Sequence, residues 1–423
     1  MENHKFVGWV PQPNTRGTLD IIYSCATVIL TAIWTILHLN VPGKNDSLTQ
    51  ILLRRVRWGI LAILAPDCLT TVAAVQWLSA RKSVEQMKGL NNLGSWTIVH
   101  AFYADSGGFF LQLPEQLVFP VNAECIHFLV SRGYIPLPTI TQDEIWDKSK
   151  SDGFAKLFVL LQISWIIIQS IARVANGLSI SPLEIFTLAF VASTMMSYFF
   201  WWNKPQHVKT PTFLQCKFSI VKILTDSGIP PGASYVDSPL DFAQNSNKFW
   251  QRRSFFDKYD FERQIKANGH NRTPFQRIPD DTLLPKTLPR NVLAVLIVAA
   301  CVHSTIHLLG WNFAYPSSIE QLLWRTSTVI LPSVSAVSLG ITHVLAALGY
   351  QGKYNLIWLW INLQRDEPRN KKCLNFWDIF LGAATLCVVV ARFYIIVEAI
   401  ISLRDLPADV FVAVNWTSFL PHV

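Results

Sequence analysis

At 423 residues the chain has room for two or three soluble domains, but it is 51% hydrophobic and only 15% charged, a balance that excludes them. A net charge of +8 would suit nucleic acid, yet the basic residues lie in loops beside apolar blocks. A cytoplasmic excess of Lys and Arg explains them without any nucleic-acid partner. The seven cysteines show neither CxxC nor the Cys/His spacing of a zinc site and read as free thiols, several of them inside apolar blocks.

Hydrophobicity is grouped in blocks of roughly 18 to 27 residues, the length a helix needs to cross a hydrocarbon core. The chain therefore reads as an all-α polytopic transmembrane bundle of about seven spans, with the bilayer as its first partner. Residues 1–20 form a polar N-terminal segment, expected to be cytoplasmic and to lead into a retained span rather than a signal peptide. Span one is Ile21–Leu39, ended by Asn40-Val41-Pro42-Gly43, and span two is Trp58–Leu78, after Arg54, Arg55 and Arg57. Within the mixed stretch 79–153, residues 96–111 are only moderately apolar and carry His100, Asp105 and Gly107-Gly108, which reads as a re-entrant or interfacial segment. Span three, Phe154–Val174, and span four, Ile185–Trp202, are joined tightly at Asn176-Gly177 and form an antiparallel pair, closing a membrane domain over 21–202.

Residues 203–290 are polar, rich in Pro, Asn and Ser, and carry more Lys and Arg than Asp and Glu; they read as a long basic cytoplasmic loop able to recruit protein partners. A second membrane domain, 291–405, follows with Val292–Trp311, Leu322–Leu348 (kinked at Pro332) and Phe380–Leu403, and a tail over 406–423. The basic loops 79–153, 203–290 and 349–375 share one side when seven spans are counted, which places the N-terminus in the cytoplasm and the C-terminus outside it. Arg54, Arg55 and Arg57 then lie on the wrong side. The sequons at Asn45 and Asn415 face the lumen, and the one at Asn271 does not.

Ionisable side chains inside spans are costly and mark candidate sites. Asp67 follows Pro66 in span two. His303 and His307, four apart on span five, share a face as a metal clip or a proton relay would require. Arg392 lies near the centre of span seven, and Glu398, six residues on, points about 120° away. Asp67 is the expected partner of Arg392, because pairing neutralises both. Asp67, His307 and Arg392 are thus the leading catalytic candidates, with His100, Asp105 and Glu398 behind them. Gln162 and Gln169 share a face of span three as interhelical glue. No P-loop, GxGxxG, GxSxG or Asp-rich diphosphate motif is present, and no cofactor is expected.

Several strings carry a resemblance: Pro13-Asn14-Thr15-Arg16-Gly17-Thr18-Leu19-Asp20-Ile21, Leu37-His38-Leu39-Asn40-Val41-Pro42, Asp147-Lys148-Ser149-Lys150 and Trp201-Trp202-Asn203-Lys204-Pro205. Glu320-Gln321-Leu322-Leu323-Trp324-Arg325, Ala391-Arg392-Phe393-Tyr394-Ile395-Ile396-Val397-Glu398 and Pro421-His422 complete the set. Together they resemble a family of multi-span membrane proteins widespread in filamentous fungi. The resemblance implies a bundle fold end to end and supplies no catalytic roles; at Asp67 it leads one to expect glutamate. By analogy it also suggests a place in secondary metabolism and in the endoplasmic reticulum or another endomembrane. Three functions follow from the sequence. They are a membrane-embedded acid/base cyclase or isomerase acting on a lipophilic small molecule, a transporter or channel, and a scaffold without catalysis.

Overall fold

The computed structural model describes residues 6–11, 16–90, 95–149, 153–233, 235, 238–243, 274–280, 290–347 and 376–416. The Asn271 sequon, Cys373, Thr417, the 349–375 loop, Pro13-Asn14-Thr15, Lys150 and Pro421-His422 lie outside the described residues, as does much of 203–290.

The chain is mostly helical. Helix α1 (Thr18–Ile36) is followed by α2 (Leu48–Leu64), α3 (Pro66–Lys88), α7 (Gly153–Ala175), α8 (Pro182–Trp201), α10 (Arg290–Leu308), α11 (Ser318–Ala347) and α12 (Phe376–Ile401). Among the described residues five helices are long and apolar enough to cross a membrane: Thr18–Ile36, Leu157–Ala175, Pro182–Trp201, Asn291–Leu308 and Ile379–Arg404. A sixth is reached if α2 and α3 count as one bent span. Helix α11 contains Pro332 as expected and is not among the five. The outward faces of these helices carry Tyr23, Leu30, Ile171, Phe199, Leu386 and Phe393, all exposed. So much exposed apolar surface on parallel rods suits lipid and not water.

The expected second span is the main departure. Pro66 has no N–H to give and restricts Ala65, which sits at φ −147°, ψ 65°, outside helical geometry. The chain turns through 114° there, so Trp58–Leu78 is two helices and no single rod. The start of α3 packs on α8 with both running the same way: Thr70 meets Ser193 and Ser197, and Gln76 meets Trp201. The far half of α3 leaves the bundle and enters a small α/β cap.

That cap holds the segment expected to be re-entrant. Residues 98–105 form the two-turn helix α4 (Ile98–Asp105), at ~12 Å far too short to cross a bilayer. Strand β2 (Phe109–Gln112) follows and lies between β3 (Val118–Val121), antiparallel, and β4 (Thr212–Gln215), parallel. The all-α reading is corrected at this point. Strands of four residues with both faces covered, such as Phe109-Phe110-Leu111, show no alternation for a sequence reading to detect. Helices α5 (Ala123–Ser131), α6 (Gln142–Lys148) and α9 (Ile220–Asp226) complete the cap around Phe102, Tyr103, Phe109, Phe119, Ile126 and Leu129. Gly108 is required here, because a Cβ would stand 2.4 Å from the Tyr103 ring. The 203–290 stretch is therefore in part structured: β4, α9 and residues 274–280 pack into this end.

At the opposite end, β1 (Phe6–Val7) pairs with β5 (Leu406–Pro407), which brings both terminal regions together. Arg16 pairs with Glu184 there, and the buried guanidinium of Arg173 donates to the carbonyls of Ser179, Asp409, Val410 and Val412. Both terminal regions therefore lie at one end of the bundle.

Candidate functional site

The bundle interior is polar along one line, and the break at Ala65 is its centre. Helix α2 ends with a free carbonyl at Leu64, and α3 begins with Pro66 and Asp67, whose carboxylate suits the positive end of the helix dipole. Arg392, from the middle of α12, serves both ends: its Nη1 donates to the Leu64 carbonyl at 3.1 Å and stands 2.7 Å from Asp67 Oδ1. Both side chains are largely buried. The pair expected from sequence is present, and aspartate reaches because the arginine spans the gap.

Beside it, Thr70 Oγ1 and Ser197 Oγ lie 2.7 Å apart, and Ser193 Oγ lies 3.2 Å from His303 Nδ1, which also faces the Ala189 carbonyl at 3.2 Å. The His303 and His307 rings are 5.0 Å apart and edge-to-face, with Phe186 stacked on His307 and Trp324 edge-on to it. Among the described residues no third His, Cys, Asp or Glu joins them to hold a metal ion. Glu398 lies farther along α12, taking a hydrogen bond from Tyr394, whose hydroxyl also faces the Glu320 carbonyl; Glu320 pairs with Arg404. Gln162 bonds Thr31 of α1, as an interhelical amide should.

His100 and Asp105 do not join this group and do not meet each other. His100 Nδ1 faces Thr97 and its Nε2 the Ile140 carbonyl at 2.8 Å, so it staples α4 to the segment before α6; burial lowers its pKa. Asp105 accepts from Ser79 Oγ and the Ala123 amide, and burial raises its carboxyl to about 6 against those hydrogen bonds.

The sequence reading missed Lys204. Its Nζ donates to Asn40 Oδ1 at 3.0 Å and Gln76 Oε1 at 2.8 Å, where the Trp201 indole also donates. Asp280 accepts from the Asn40 amide, and Arg54 donates to the Asn40 carbonyl. Burial lowers Lys204 to about 7, though the charges of Asp280 and Asp105 oppose the shift. A signal was available: Leu37-His38-Leu39-Asn40-Val41-Pro42 and Trp201-Trp202-Asn203-Lys204-Pro205 were both singled out as strings, and here they are the two halves of one junction. Likewise Glu320 of one string carries, on its carbonyl, the Tyr394 hydroxyl of another.

Polar groups thus recur along the bundle interior as a seam, with Phe186 and Trp324 packed on its His307 member. It leads from the Glu320/Tyr394/Glu398 cluster past His307, His303, Ser193 and Thr70, with Asp67 and Arg392 alongside, to Gln76, Lys204 and Asp105 under the cap. Buried ionisable groups among helices long and apolar enough to span are compatible with a membrane helix bundle. A family model matches residues 1–225 and 286–423, and the chain belongs to that family, the family of unknown function DUF8562. No curated protein and no solved structure matches the chain.

Proposed function

We propose that this is a membrane transport protein in which α2 and α3 form a re-entrant hairpin and the seam carries protons across the bilayer. The observation that carries this reading is the break at Ala65, which sets two helix ends, Asp67 and Arg392 beside a line of hydroxyl and imidazole groups. Half-helices meeting at depth are how membrane proteins set backbone dipoles against ions, and interrupted backbone is tolerated there only when protein covers it. Hydroxyls and neutral imidazoles both accept and donate, as a relay requires.

In this arrangement α1, α7, α8, α10, α11 and α12 cross and the hairpin enters and leaves at the cap. The cap end is cytoplasmic, since Arg54, Arg55 and Arg57, opposed to the charge count under seven spans, then join the other basic loops. The test is reconstitution in liposomes with an entrapped pH dye and an imposed potential. Wild-type protein acidifies the lumen, and Asp67→Asn and His303→Gln each slow the flux about tenfold or more, as loss of a proton-carrying group should. Wild-type flux no faster than that of protein-free liposomes would refute the proposal.

The buried Nδ1 of His307, without a hydrogen bond among the described residues and flanked by aromatic rings, favours one alternative. A membrane-embedded acid/base enzyme for a lipophilic substrate would use that nitrogen. It predicts product formation in microsomes and no proton flux.

A further inference from the structure

The cap carries a groove that the seam does not use. Its volume is about 670 Å³, and it is walled by residues 135–140, by Glu144, Asp147 and Lys148 of α6, and by all four residues of β4. Strand β4 is the last strand of its sheet among the described residues, with β2 on one side only. Thr212 N donates to the Gly108 carbonyl and Cys216 N to the Gln112 carbonyl, so Thr212, Leu214 and Cys216 turn their backbone groups inward. By the alternation of a parallel ladder, the N–H and C=O groups of Phe213 and Gln215 point outward along the groove. The opposite wall contains Pro136 and Pro138, which have no N–H to offer the outward carbonyls of β4. Phe213 is 54% exposed.

We propose that this groove binds an extended basic peptide segment of a partner protein, which adds to β4 as a fourth strand. An unpaired edge is a template for a guest backbone, and here the prolines and the acidic wall restrict which guest can pair. The charge argument selects the guest. Glu144 and Asp147 are exposed one turn apart, with Lys148 as the one cation lining the groove among the described residues, in a chain whose net charge is +8. A local acidic wall on a basic protein favours Lys or Arg in the guest. Four residues of β4 accommodate roughly 13 Å of strand, enough for about four residues of the guest. The partner site rests on the cap alone and stands or falls independently of proton transport.

The test uses the full chain in zwitterionic detergent and a fluorescein-labelled eight-residue peptide of alternating Lys and Val. Polarisation shows saturable binding of this probe and none of its Glu-Val counterpart. Two further probes are N-methylated on every Lys or on every Val. One loses binding at least tenfold and the other keeps it, because only one set of amides faces β4. The Glu144→Gln, Asp147→Asn double variant weakens the Lys-Val probe roughly fivefold, the scale of two exposed ion pairs, while Gln preserves the α6 capping box. The proposal is overturned by no saturable binding at concentrations up to about 1 mM, or by equal binding of both methylated probes. It is also overturned if the chain is dimeric and Phe213→Arg separates it, since the groove would then belong to a second copy.

Discussion

Lys204 is an ammonium group held among two side-chain amides and an indole, close to the carboxylates of Asp105 and Asp280. Burial acts on Lys204 and Asp105 in opposite directions, and each gives a distinct dependence of stability on pH. Asp105 titrates near 6 in the fold against 3.8 ordinarily, so the folded state holds the extra proton; its contribution is complete below about pH 4 and is lost as pH rises to about 6. Lys204 titrates near 7 against 10.5, so the unfolded state holds the extra proton and stability rises from about pH 7 upward. From these two groups we expect a shallow minimum of thermal stability between pH 6 and 7. Melting curves in detergent from pH 4 to 10 check it: Asp105→Asn removes the falling limb and Lys204→Met the rising one.

At the scale of elements, the α2–α3 break depends on Pro66 and on the guanidinium that closes it. Arg392 satisfies a helix C-terminus and a carboxylate at once, so its loss strands both. Replacing it with Met should destabilise the bundle by about 3–5 kcal/mol, because the Asp67 carboxylate stays buried without a cation. Adding Asp67→Asn should recover much of that loss, whereas two independent sites would simply add. Thermal unfolding of the two single variants and the double variant gives the comparison. Helix α3 shows how one rod serves two environments. Thr70 and Gln76 face the bundle, while Ser79 and Ser83 hold Asp105 and Trp96 of the cap.

For the whole molecule, the β1–β5 pair and the Arg16–Glu184 contact bring the two terminal regions to one end, opposite the cap. In the proposed topology these two regions share one side of the membrane. Cysteines introduced at Trp9 and Asn415 should react with a membrane-impermeant maleimide from the same side, and one at Lys44 from the other. Asn45, at the cap end, should carry no glycan, which a mobility shift after glycosidase treatment would reveal. If Trp9 and Asn415 label from opposite sides, an odd number of spans is correct and the hairpin crosses.

Composition and block length alone pointed to a mostly helical chain with several runs apolar enough to cross a membrane, because burying a backbone in lipid leaves few solutions and each needs a long apolar run. The Asp67–Arg392 pair was legible too, since a lone arginine at depth demands an anion and few are available. The cap was not. Its strands are short, the central one is buried on both faces, and β2 finds β4 only after 100 residues that include two bundle helices, so no local pattern announces the pairing. The direction of α2 was equally hidden: Pro66 tells that a helix breaks, but only the packing of Thr70 on Ser197 and of Arg392 on Leu64 decides where the next one goes. Lys204 was missed for the same reason, as a lysine at a span end looks solvated until three other segments close over it. Sequence therefore settled what must be buried, and tertiary contacts settled which way the chain turns at depth and what meets there.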